Sequence, residues 1–228
     1  MVPKKVLKVS YRTSNPWSYP IWNSINAAEK RNEKYKLPDV FRSEIGSRML
    51  SISYRIDGIF IIRGRLNKEI VSIYGMAKSR DKSRDKFAFQ VSQDLVNSLL
   101  VNIDSIIFEM KSSCELAESL AKRLNRHYYP ISKKIGKTEL PVMHWSGAQW
   151  YKKLRDIRID LFHKTAAYVD VDVSKEPQYD LLFCKENIKD YRKTKNYIRL
   201  SEISDIYNSF LTDFFILQNY ISKKINKL

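Results

Sequence analysis

Two long runs of apolar residues at alternating spacings of four and three constrain this chain most. The first is Ile45, Met49, Ile52, Ile56, Ile59, Arg63, Leu66, Ile70 and Ile73. The second is Val96, Leu100, Ile103, Ile107, Met110, Cys114, Ala117, Ala121 and Leu124. Residues three and four apart share one face of an α-helix, so each run predicts a helix of about eight turns with one apolar stripe. Asn102, Asp104, Glu109, Lys111 and Lys122 fall off the second stripe, which makes that helix amphipathic. A stripe of this length has to be buried against another helix. Ile59-Phe60-Ile61-Ile62, flanked by Gly58 and Gly64, also fits a strand; the continuous stripe favours a helix, kinked near the glycines. Arg63 sits on the seam, either snorkelling outward or buried against an acid or a ligand.

The remainder of the chain fits a bundle of four or more helices. A third helix is expected over 146–168, with Trp150, Leu154, Ile157, Leu161 and Tyr168 on its seam. Residues 169–200 read as loop-rich, although Val169-Asp170-Val171-Asp172-Val173 alternates. A last helix is expected from Ser201, taken as its N-cap, with Glu202 and Asp205 in the first turn. Only six glycines occur in 228 residues, few for the turns of an all-β fold. The second helix is expected to close around Asn125, ahead of Pro130. The fold class is therefore all-α, with two parts: an irregular N-terminal arm over 1–44 and a helical domain over 45–228.

The arm carries Pro3, Pro16, Pro20 and Pro38, with one short helix expected near 21–35. Trp17, Tyr19 and Trp22 are expected to pin it to the body; stacking on nucleic-acid bases is the alternative. Ser79-Arg80-Asp81-Lys82 is repeated as Ser83-Arg84-Asp85-Lys86, a charged connector between the two long helices.

Charge narrows the function. Lys and Arg total 41 against 25 Asp and Glu, a formal net charge of +16. Such an excess favours a polyanionic partner, RNA being the simplest. The basic loop of Lys133, Lys134 and Lys137 is expected to follow a phosphate backbone; it does not match a Walker A loop. Cys114 and Cys184 show neither metal-ligand spacing nor a disulfide framework, so no metal or cofactor is expected. With no signal peptide and no apolar run long enough for a span, the expectation is a cytoplasmic protein off the membrane.

The candidate site lies at Arg155-Asp156-Ile157-Arg158-Ile159-Asp160-Leu161-Phe162-His163. The chain has only three histidines, and this one shares a predicted helix with two arginines. Arg158 falls at the edge of the core face. Arg155, Ile159, Phe162, Ala166 and His163 form a neighbouring sector, part apolar and part cationic. A second, mixed face suits a second partner, most simply another copy of the chain. Three chemistries fit these residue types. The charges could be ordinary helix ion pairs. Asp156, Asp160 and His163 could together ligate a cation. Or the histidine could move the proton of a ribose 2′-hydroxyl while an arginine stabilises the phosphate, which suits a near-neutral pKa and a permanently charged fork.

Arg158-Ile159-Asp160-Leu161-Phe162-His163 resembles the R-x(4–6)-H motif of HEPN domains, the higher eukaryote and prokaryote nucleotide-binding superfamily. A helical bundle, a long helix before the motif helix and a further helix after it accord with that likeness. The resemblance implies a metal-independent endoribonuclease of toxin–antitoxin or defence type, with one composite active site at a homodimer interface. Arg158 and His163 would be catalytic, Asp160 and Arg155 supporting, and an antitoxin or regulatory protein a further partner. The family often places Asn, Asp or His directly after the arginine; here Ile159 stands there, with Asp160 one place later. Non-catalytic members that bind nucleotides or proteins supply the alternative, a helical binding module.

Overall fold

The computed structural model describes residues 16–80, 90–133, 145–159, 168–185 and 191–228. Among the described residues there are five α-helices: α1 (Tyr19–Arg31), α2 (Asp39–Lys78), α3 (Gln93–Lys133), α4 (Gln149–Ile157) and α5 (Leu200–Asn226). Three strands lie between α4 and α5: β1 (Tyr168–Lys175), β2 (Gln178–Cys184) and β3 (Tyr197–Arg199).

The two long stripes do form the two long helices, and they pack on each other. Phe41 stacks on His127, Glu44 pairs with Arg123, Arg48 donates to Ser119, Arg55 pairs with Glu109, and Asn102 donates to Glu69. The partners descend along α3 as α2 ascends, so the helices are antiparallel. Ile45, Met49, Ile52, Ile56 and Ile59 are buried against Ile103, Ile107, Met110, Cys114 and Leu124. Each such side chain contributes roughly 1.5–3 kcal/mol on burial, whereas an exposed helical glycine costs about 1 kcal/mol. The stripe therefore outweighs the glycines, and α2 runs unbroken through Gly58, Gly64 and Gly75, with no strand at 59–62. Arg63 is exposed, with its guanidinium 4.4 Å from the Tyr207 ring centroid, the snorkelling arrangement.

Residues 16–44 are more ordered than an irregular arm. Trp17 is fully buried, its ring 5.0 Å from Phe214, and its indole N–H donates to the Phe214 carbonyl of α5. Arg31 donates to the Ile225 carbonyl and the Tyr35 hydroxyl to that of Leu228, so α1 runs parallel to α5. Trp17 is thus a core residue and no base-stacking surface, while Tyr19 is exposed. Trp22 packs over α2 where Gly46 stands: a Cβ there would lie 3.3 Å from the Trp22 ring. Arg42 crosses the same ring and binds Glu29 and Asn26.

The all-α expectation needs correcting at 168–199. Tyr168 opens a strand instead of closing the third helix, and the expected loop is an antiparallel sheet of order β1-β2-β3. In its register Val169 faces Phe183 and Val171 faces Leu181, with Leu181 and Phe183 in the main core. On the opposite face Asp170 and Asp172 alternate with them, and Leu182, Cys184 and Tyr197 form a separate small cluster. The chain there is a strand whose apolar side faces the helices. Arg80 pairs with Glu176, and Tyr74 packs on Tyr179, tying this hairpin to the far end of α2.

Two helix ends also differ from expectation. Helix α3 passes Asn125 and takes Pro130 into its final turns. Ser201 lies inside the first turn of α5, where its N–H and hydroxyl both donate to Asp180; the Arg199 N–H donates to Glu202.

Asp172 accepts from Ser174 and from Arg199, and these bonds, the first the stronger, hold its carboxyl down at about 2. A depressed carboxyl stabilises the fold above the unfolded-state value of about 3.9, and that contribution fades as pH falls toward the folded value. Urea midpoints at about pH 6 and about pH 2.5 should therefore drop further for the wild type than for Asp172→Asn. Equal drops would remove this linkage.

Candidate functional site

Helix α4 carries the first residues of the candidate stretch, Arg155 to Ile157, and two tryptophans fix it. Trp145 is buried beside it, donating to the Cys114 carbonyl of α3 and stacking on Phe214 of α5 at 6.0 Å. Trp150 donates to Asp213 at 2.6 Å and meets the Phe210 ring edge-on. Leu154 and Ile157 continue the buried face, as the spacing predicts. Arg158 follows in helical conformation, and at Arg158 and Ile159 the helix widens into a π turn, a local form often met at functional positions.

Arg158 is half-buried, its guanidinium 5.3 Å from the ring centroid of Phe108 on α3. The Arg55 guanidinium of α2 lies 5.8 Å from the same ring and pairs with Glu109 at 2.7 Å. Three helices thus meet at one aromatic ring with two cations around it. Phe108 is 41% exposed. Among the described residues no acid pairs with Arg158. An aromatic face attracts a cation through its quadrupole without occupying any of the five N–H donors of arginine. Arg158 is therefore held in place, and among the described residues no acid occupies its hydrogen-bonding fork.

The other predicted residues fare differently. Arg155 is exposed and lies 3.5 Å from its neighbour Asp156, an ordinary surface pair. Asp160 and His163 lie outside the described residues, as do Lys134 and Lys137, and Lys133 is described only as the last residue of α3. The cation-ligand grouping of Asp156, Asp160 and His163 includes two of them and so lies outside the described residues too; among the described residues no group of three or more His, Cys, Asp or Glu could hold a metal ion.

His127 is the histidine the structure describes. Burial lowers its pKa, and its ring stacks on Phe41, so it is a neutral packing residue at pH 7. Both cysteines are buried. Burial raises the Cys114 thiol, and burial with a hydrogen bond to Asp170 raises Cys184 to about 12. Neither is a thiolate nucleophile at neutral pH. Among the described residues no helix is long and apolar enough to cross a membrane.

Arg55 and Phe108 were not singled out from the sequence, and Glu109 only as a polar residue off the α3 stripe. The available signal was Phe108 itself, a large aromatic one place off the buried stripe of α3. No protein-family model, no curated protein and no solved structure matches the chain.

Proposed function

We propose that the chain is a metal-independent endoribonuclease of the HEPN type, acting through a composite site formed by two copies of the chain. The observation that carries this reading is Arg158, held against Phe108 with no acid among the described residues to neutralise it. Arg158 would bind the scissile phosphate and the charge that gathers on it. His163 would take the 2′-hydroxyl proton or return a proton to the leaving oxygen, its ordinary pKa lying near neutrality. Asp160 would orient that imidazole. The net charge of +16 draws RNA toward the protein.

The test is incubation of purified protein with single-stranded RNA in excess EDTA. Cleavage that survives the chelator is expected. RNA binding without cleavage under any cation would leave a non-catalytic binding module instead. Arg158→Lys keeps the charge but loses the fork, and should slow cleavage by roughly tenfold or more while leaving RNA affinity little changed.

A further inference from the structure

Phe108 is a large aromatic at the edge of the core. It stands one position off a stripe whose neighbours Ile107 and Met110 are fully buried, yet it remains 41% exposed. Its surroundings are cationic: Arg55 from α2 on one approach and Arg158 from the end of α4 on another. Arg55 is compensated by Glu109, while Arg158 has no such partner among the described residues. Arg158 is then the uncompensated charge at the ring, and an anion beside it can also engage Arg55 through donors other than the Nη1 that Glu109 takes. Helices α2 and α3 are locked to each other along their length by the Arg48–Ser119, Arg55–Glu109 and Glu69–Asn102 contacts, so the arrangement is preorganised.

We infer that Arg55, Phe108 and Arg158 form a phosphate-binding platform for single-stranded RNA. Arg55 makes a second phosphate contact beside the one made by Arg158, and Phe108 is the positioning residue that holds both cations. This deepens the ribonuclease reading by naming where the RNA backbone lies, and it rests on that reading for RNA as the ligand.

The measurement is the affinity of the full-length His163→Ala protein for a fluorescently labelled single-stranded RNA across a range of salt concentrations. Each phosphate contact contributes about 0.7 to the slope of log affinity against log salt for a single strand. Arg55→Gln and Arg158→Gln should each reduce that slope by about this amount. Arg126→Gln, an exposed arginine toward the other end of α3, should not change it. Phe108→Leu should weaken binding at constant net charge, and Phe108→Tyr should restore it. Since Arg55→Gln leaves Glu109 without its partner, Arg55→Lys is the companion variant and should keep the slope; circular dichroism on each variant confirms folding. Equal slope losses for Arg55, Arg158 and Arg126 would overturn the platform in favour of diffuse charge, and so would absence of RNA binding by the parent protein. The two readings part cleanly. A wild type that never cleaves RNA but loses slope at Arg55 and Arg158 keeps the platform without the nuclease. One that cleaves with no change of slope in Arg55→Gln keeps the nuclease without the platform.

Discussion

His163→Ala is expected to lower RNA cleavage by about 10²–10⁴-fold, the usual share of a positioned general acid or base, with RNA affinity and thermal midpoint unchanged. Arg158→Ala should cost about 10²–10³-fold, the scale for removing one donor from a developing anion. If both residues serve one chemical step, the double variant should lose little more than the worse single one, because groups that act as a unit are strongly non-additive. Additive losses would mean that the two act in separate steps or that one acts only on binding. The measurement is single-turnover cleavage at saturating protein, which separates chemistry from affinity. The pH profile supplies a second readout: a wild-type rate limited by an imidazole turns over near its ordinary value of about 6.5, and the turn should vanish in His163→Ala. His163 is also the most diagnostic histidine. Burial lowers the pKa of His127, whose ring stacks on Phe41.

The long helices were legible because a helical stripe is a local signal, repeated often enough in α2 and α3 to override four glycines and a proline. The sheet was not, although its signal was present. Val169, Val171 and Val173 alternate with Asp170 and Asp172, the period of a half-buried strand. What obscured it was the polar face. Carboxylates at alternate positions look like a solvated loop until their partners are known, and two of those partners, Arg199 and Tyr191, come from residues well separated in sequence. Cross-strand satisfaction of this kind has no local signature.

The candidate site divides along the same line. Arg158 was visible because its spacing to His163 is local. Phe108 and Arg55 became visible only when tertiary packing brought α2, α3 and α4 to one ring. The resemblance makes Arg158 catalytic and Arg155 supporting, on motif spacing alone. Geometry separates them: one is solvated beside Asp156, while the other sits half-buried on an aromatic surface. Burial, rather than residue type, makes an arginine a plausible phosphate clamp, because a charge screened by water gains little on meeting an anion.

Trp17→Ala should destabilise the fold by about 3–5 kcal/mol, the range for deleting a buried tryptophan ring. Three losses coincide. The ring, fully buried, leaves a cavity against Phe214 at the centre of the aromatic cluster that also holds Trp145, Trp150 and Phe210. The Phe214 carbonyl loses the indole donor. And the chain ahead of α1 loses its anchor, loosening the Gln218 hydrogen bond to the Trp17 carbonyl. Trp17→Phe keeps a six-membered ring but loses the N–H and about three ring atoms, so it should cost about 1–3 kcal/mol, an unmade buried hydrogen bond together with a small void. Against a typical total of about 5–15 kcal/mol, the alanine variant would sit near the edge of folding. Urea denaturation of both variants resolves the two contributions. The same aromatic cluster fixes α4, since Trp150 of that helix packs on Phe210 and donates to Asp213. A loosened Trp17 should therefore reach the site as well: in Trp17→Phe, cleavage should fall by less than stability alone would suggest if α4 keeps its Trp145 and Trp150 contacts, and in parallel with stability if Trp17 is what holds the cluster together.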